Sequence, residues 1–188
     1  MKKLLQVFLF IILILGLVFI VLPELAKFRR TVNTDNYVIT TDNMYIQIAE
    51  FKDGDNIPLE YGCKGQNIAP LIAINGVPED AKSLVLIMDD PDAPVGRWFH
   101  WLIWNLPIDT KVIDRDNLPV SAVIGKNSSG NNAYDGPCPP YGTHHYYFKL
   151  YALNTVLELD KNTEGRDLEK ELEGHIISRA QYMGTYSR

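Results

Sequence analysis

Three carboxylates close together at the end of an apolar run are the first residues that could do chemistry. They lie in Asp89-Asp90-Pro91-Asp92-Ala93-Pro94, directly after Leu84-Val-Leu-Ile-Met88. Proline fixes φ and donates no backbone hydrogen bond, so Pro91 and Pro94 can hold these acids in one pose. Two later segments offer partners: Trp98-Phe99-His100-Trp101, and Gly136-Pro137-Cys138-Pro139-Pro140-Tyr141-Gly142-Thr143-His144-His145-Tyr146. Period-two geometry along a strand puts His144 and Tyr146 on one face and His145 on the other. The same rule groups His100 with Trp98, Leu102 and Trp104. The expected pocket therefore holds Asp90 or Asp92, His100, His144 and Tyr146, with Gly136 and Pro137 exposing backbone nearby.

Three chemistries fit that set. Imidazoles, a phenol and glycine N–H groups are donors to an anionic oxygen, as in a phosphate monoester or a phosphodiester headgroup, while an acid beside a histidine fixes its tautomer or raises its pKa. Two histidines and one carboxylate can also hold a metal. An aspartate orienting a histidine can serve acid–base catalysis, which would make the protein a hydrolase or a metal-dependent enzyme. No serine or cysteine nucleophile comes with a recognisable motif, and Ser128-Ser129-Gly130 reads as a loop.

The elements that must position these residues read as mostly β. Met44, Ile46 and Ile48 alternate with Tyr45, Gln47 and Ala49, Asp53–Asn56 is a turn, and Ile57–Cys63 is expected as a return strand. Strands follow at Leu71–Ile74, Ser83–Met88, Trp98–Leu106, Ser121–Gly125 and His144–Asn154. Short strands with Gly/Pro-rich turns predict a mainly β fold, a sandwich or barrel-like sheet pair. One helix is expected after Thr163, with Leu168, Leu172, Ile176, Ala180 and Met183 as its apolar stripe.

The chain has 188 residues, 46% of them hydrophobic and 22% charged. Leu4–Leu22 is a run of 19 uncharged residues, roughly 28 Å as a helix and close to the ~30 Å hydrocarbon layer. It is longer than a typical signal core, and no small-residue cleavage site follows, so residues 1–30 read as an uncleaved single-pass transmembrane anchor. Residues 31–43 read as a linker and 44–188 as the folded domain. Lys2 and Lys3 on one side and Lys27, Arg29 and Arg30 on the other give the positive-inside rule little to act on. An extracytoplasmic domain is expected, because such anchors often act as export signals.

Five of the 18 Lys and Arg precede residue 31, as does one of the 23 Asp and Glu. The remainder carries 13 basic and 22 acidic residues, a net charge of about −9, which argues against nucleic acid as a partner. The basic residues beside the anchor suit lipid headgroups instead. Cys63 and Cys138 have no zinc-type spacing. Outside the cytoplasm they can form a disulfide; two buried free thiols are the alternative.

The motifs together resemble the phosphatidylethanolamine-binding protein family, most closely its prokaryotic, Raf kinase inhibitor-like branch. The matching segments are Leu84–Pro94, His100-Trp101, Tyr134–Tyr146, Cys63-Lys-Gly-Gln-Asn-Ile-Ala-Pro70, Gly125-Lys-Asn127, Tyr147–Leu153 and Gly184-Thr-Tyr186. The resemblance covers roughly Met44 to Arg188. It implies a β-sheet sandwich with a small anion-binding cavity, no cofactor and no established catalysis. It further implies a cavity lined by Asp90, His100, His144 and Tyr146, with Asp92, Pro94 and Gly136 as neighbours. Its members bind phosphate-like groups, phospholipid headgroups or phosphorylated partners, and some inhibit kinases or proteases. One residue departs from the family pattern: the usual arginine beside the cavity histidine is His145 here.

Overall fold

The run Leu84–Met88 becomes the centre of the molecule because it can be covered on both sides. In the computed structural model, which describes residues 43–188, it lies within strand β3, Ser83–Asp90, every residue of which is buried. Preceding strands are β1 (Tyr45–Ile48) and β2 (Ile72–Asn75); later ones are β4 (Trp98–Leu106), β5 (Val112–Ile113), β6 (Val123–Ile124), β7 (Thr143–Leu153) and β8 (Ile176–Ser187). One sheet has the order β1-β2-β5 and the other β6-β4-β3-β7-β8, all neighbours antiparallel. Ile46, Ile48, Ile72, Ile74 and Ile113 of the small sheet pack into one core with Leu84, Leu86, Met88, Trp101, Ile103, Tyr146, Phe148 and Leu150 of the large one. This is the expected β sandwich, and burial of such side chains is worth about 1.5–3 kcal/mol each.

The large sheet is covered on its other face as well. Val85, Ile87, Leu102 and Trp104 are fully buried outside that core, as is Leu168 of the single α-helix among the described residues, α1 (Gly165–Leu172). Gly165 sits so tightly against Phe99 that a Cβ there would lie 2.2 Å from the ring. The start of α1 is thereby seated on β4.

Two expectations are corrected. The helix stops at Leu172; Ile176, Ala180 and Met183 belong to β8, which pairs with β7 from Thr143 against Ser187 to Leu153 against Ile176. Gly174, at φ +78°, turns the chain out of the helix, and pairing with β7 satisfies the backbone that a longer helix would have used. A spacing of three changes faces in a strand, so the helical stripe does not describe β8, in which Ser178 and Ala180 are buried while Arg179 and Gln181 are exposed. The second correction concerns Ile57–Cys63, which forms a 3-10 turn at Leu59–Tyr61 in place of a return strand. Pro58 cannot donate to a ladder, and the Tyr61 N–H instead donates to the Pro58 carbonyl at 3.1 Å.

That turn is fastened to the segment leading into β7. Cys63 and Cys138 form a disulfide across 75 residues, and the Cys63 N–H donates to the Pro137 carbonyl at 3.0 Å. Among the described residues no helix is long and apolar enough to cross a membrane. The expected anchor and most of the linker lie outside them. Replacing Cys138 with serine should lower unfolding free energy by about 2–4 kcal/mol, since closing a long loop restricts the unfolded chain. Denaturant titration of the oxidised, reduced and C138S proteins checks this; equal midpoints would show that the crosslink contributes nothing.

Candidate functional site

A single extra residue in β4 builds the site. Met88 faces Trp101 across the β3–β4 ladder, whereas Asp89 faces Phe99, so His100 is a β-bulge. Without it, His100 would lie on the face opposite Trp101. With it, Trp101 joins the inter-sheet core, and the His100 ring stands edge-on to Tyr146 with centroids 5.2 Å apart. The grouping of His100 with Leu102 and Trp104 is therefore corrected: strict alternation fails at the bulge, and those two occupy the outer face. A second register shift includes Asn105, at φ +57°, which restores Leu106 to the core.

His100 is clamped at both ends by one residue. Its carbonyl accepts from the Asp135 N–H at 3.0 Å, and its Nδ1–H donates to the Asp135 carbonyl at 2.6 Å. A carbonyl can only accept, so Nδ1 carries the proton and Nε2 of the neutral ring carries the lone pair. Burial pushes the His100 pKa below its ordinary value, outweighing the pull of Asp135, Asp90 and Asp89. Asp135 ends a loop organised by Asn127, whose Oδ1 accepts from Ser129 and Asn131 while its Nδ2 donates to the Ala133 carbonyl. Ser128 Oγ accepts from the Phe99 N–H at 2.9 Å, and Ser129 Oγ donates to the Asp135 carboxylate. The loop's hydroxyls thus hold β4. The sequence reading did not single out Asp135, and the only signal for it was its place beside Gly136-Pro137.

Asp90 and His144 form the second half. Asp90 Oδ2 accepts from His144 Nδ1–H at 2.7 Å and its Oδ1 accepts from the Asp92 N–H at 2.8 Å. Both oxygens are engaged, so Asp90 orients a histidine and shapes the turn. Asp92 sits at the rim, half exposed, and its Oδ2 accepts from the His145 N–H and Nδ1–H at 2.9 and 2.6 Å. That hydrogen bond, first among the causes, holds the Asp92 pKa below the usual carboxylate range. Consecutive residues of β7 therefore fasten the turn from opposite faces, and His145 hydrogen-bonds Asp92 where the resemblance led one to expect arginine.

The remaining expected site residues divide. Tyr146 is fully buried, its ring stacked 6.5 Å from His144, and burial with the Asp90 charge raises its pKa well above normal, so it stays protonated. Tyr141, exposed, stands edge-on to His144 at 6.2 Å. Pro94 is exposed in the turn. Gly136 does not expose its N–H: it donates to Asn67 Oδ1 at 2.8 Å, and a Cβ there would lie 2.1 Å from the Tyr61 carbonyl. The expected glycine donor is thus spent on seating the loop, and the Pro137 carbonyl is spent on Cys63. Asp89, on the outer face, is fully buried, with Lys149 Nζ at 2.7 Å and Arg97 Nε at 3.3 Å from its Oδ2. Arg97 reaches on to Glu169 of α1.

Two polar atoms inside this cluster, His100 Nε2 and the Tyr146 hydroxyl, have no hydrogen bond of good geometry, although the hydroxyl lies near enough to the Asp90 carboxylate and the Cys138 backbone to feel both. The described residues hold other buried unpartnered atoms, on Asp89, Trp101, Trp104 and Thr110. His100 and Tyr146 differ in setting a bare acceptor and a bare donor on two neighbouring rings. Among the described residues no group of three His, Cys, Asp or Glu is placed to hold a metal ion.

A two-sheet β sandwich with a polar cluster at the end of its central strand is the class of fold, and comparison with known proteins gives the family. Residues 47–187 match the family model described as phosphatidylethanolamine-binding protein, and the chain belongs to that family. A UPF0098 protein of Methanothermobacter thermautotrophicus is 45% identical over 150 residues, covering 77% of this chain and 99% of its own. The crystal structure of CT736 from Chlamydia trachomatis, described as a homologue of phosphatidylethanolamine-binding protein, superposes with a TM-score of 0.73 at 38% identity, covering 79% of this chain and 99% of its own. YbcL of Escherichia coli, described as a member of the mammalian PEBP family, gives 0.73 at 32% identity, covering 77% and 98%.

The depressed His100 pKa predicts acid sensitivity with a definite sign. The folded state binds fewer protons at His100 than the unfolded state, so its contribution is complete above about pH 6.5 and is lost as pH falls below that value. Asp92 adds a loss only as pH falls below about 3.8. Stability should therefore begin to decline between about pH 6.5 and pH 5, by at most about 1.4 kcal/mol per pH unit from this one proton. His100→Gln should flatten that first decline, as measured by urea midpoints across pH; an unchanged profile would remove His100 as its cause.

Proposed function

We propose that this protein is a non-enzymatic receptor for a phosphate-like group, presented at a membrane by its amino-terminal segment. The observation that carries the reading is the pair of buried, unpartnered polar atoms on His100 and Tyr146. An orphaned buried polar group costs about 1–3 kcal/mol, so a native structure that keeps two on adjacent rings is built to have them satisfied from outside. His144, oriented by Asp90, adds a third group on the same face. The phosphate can belong to a small molecule, a phospholipid headgroup or a phosphorylated protein such as a kinase or protease target. The Cys63–Cys138 disulfide favours an oxidising, extracytoplasmic location for the domain.

A hydrolase is the second reading, favoured by the 2.7 Å Asp90–His144 pair. Against it, the Ser128 and Ser129 hydroxyls are committed to holding β4 and Asp135, and both Asp90 oxygens are engaged. Phosphate release from p-nitrophenyl phosphate that disappears in His144→Ala would favour the enzyme.

Tyr146→Phe separates a binding role from a structural one. Removing an unpartnered buried hydroxyl should leave the ligand-free protein as stable as before, or more so by about 1 kcal/mol. The same change should weaken phosphate binding about tenfold. Thermal unfolding and calorimetric titration with phosphate test the two halves; a destabilised variant with unchanged phosphate affinity would overturn the assignment.

A further inference from the structure

Resting on that reading, we propose that His100 makes the pocket selective for phosphate that carries a proton: free phosphate or a phosphate monoester as its monoanion, in preference to phosphodiesters and sulfate. The geometry comes first. His100 Nδ1–H is fixed on the Asp135 carbonyl at 2.6 Å, so the atom left in the cluster, Nε2, is a hydrogen-bond acceptor. Every oxygen of sulfate or of a diester anion is also an acceptor, and two lone pairs facing each other in a dry site repel. A phosphate monoanion offers a P–OH that donates to Nε2 and another oxygen that accepts from the Tyr146 hydroxyl. It satisfies both orphans together.

The charges around the ring point the same way. On β3, Asp90 lies on the His100 side, while Asp89 points to the other face, against Lys149 and Arg97. On the loop before Gly136 lies Asp135, and on β7 Tyr146 and behind it His144. The second imidazole, His144, has its Nδ1 already against Asp90. With burial holding His100 neutral, a dianion would enter a site with little positive charge and the carboxylates of Asp90 and Asp135 close by. A monoanion carries half that penalty. Protonating His100 instead would turn Nε2 into a donor, but burial opposes the cation and outweighs the pull of the nearby carboxylates.

Calorimetric titration of the full-length chain in detergent micelles tests this with inorganic phosphate, O-phosphoethanolamine, sulfate and glycerophosphoethanolamine. Phosphate and phosphoethanolamine should bind at least about tenfold more tightly than sulfate and the diester at about pH 6. Affinity should fall as pH rises through the ligand's own second pKa. Methylphosphonate and the more acidic difluoromethylphosphonate distinguish ligand from protein titration, since the midpoint of that fall should follow the ligand. His100→Gln, whose amide can turn to donate, should bring the phosphate-to-sulfate ratio close to one. Sulfate or diester binding within about threefold of phosphate, or a midpoint common to both phosphonates, would overturn the selectivity while leaving the pocket intact. If neither phosphate nor phosphoethanolamine binds at millimolar concentration, the receptor reading itself fails and this inference with it.

Discussion

The residue inserted at His100 is the constraint on which the site depends. A sandwich needs strict alternation to keep Trp101 and Ile103 in its core, and strict alternation would send His100 to the helix-covered face. The bulge lets both demands be met, placing two successive side chains, His100 and Trp101, on the inner side. Its cost is a break in the ladder, and the backbone offset is local: the His100 carbonyl accepts from Asp135, while the Phe99 N–H and carbonyl pair with Ser128. The loop from Asn127 to Asp135 is the third strand-like partner that makes the bulge tolerable.

Strand β3 solves a related problem at its carboxyl end. Two adjacent buried carboxylates would be ruinous if they faced the same way, since each unpaired charge in an apolar interior costs several kcal/mol. Alternation sends Asp89 outward to Lys149 and Arg97 and Asp90 inward to His144 and the Asp92 N–H. The outward pair, through Arg97 and Glu169, ties the turn to α1. The inward pair fixes the tautomer of the pocket histidine. One dipeptide thereby couples the outer face to the inner cluster, and moving the register by one residue would exchange the two sets of partners.

Much of this was legible in the sequence because it rests on local pattern. Trp98–Leu106 was read with its observed bounds, β3 fell two residues short, and the faces of β7 were assigned as found, since aliphatic runs and period-two alternation report directly on burial. What failed was non-local. Nothing in Trp98–Leu106 announces which residue is the extra one, because a bulge is defined by the partner strand. Ile176–Met183 carries the spacing of a helical stripe, and only pairing with β7 makes it a strand. Gly136 looked like a free donor because its acceptor, Asn67, lies 69 positions away and reaches it from a left-handed conformation. The convergence of Asp90, His100, His144 and Tyr146 was legible by resemblance and by strand faces together. The two unpartnered atoms were not, because they are the remainder once every other hydrogen bond is known.

That remainder says how stability and function are balanced here. Two unpartnered atoms at about 1–3 kcal/mol each are a large fraction of the 5–15 kcal/mol by which a domain is typically stable. Phenylalanine in place of Tyr146, or an apolar ring in place of His100, would fill the same space without that cost. A fold selected for stability alone would drift to those residues, given that the surrounding core is aliphatic and aromatic. The disulfide, the buried Asp89 ion pairs and the doubly covered sheet are the compensation, and all three lie next to the site they support. Rigidity matters as much as energy: Asp135 holds His100 by side chain and backbone, Asp90 holds His144, and the stacked Tyr146 lies between them. In the proposed receptor, donors and acceptors fixed before the ligand arrives would lose little entropy on binding and discriminate by hydrogen-bond pattern, which a flexible pocket could rearrange to escape.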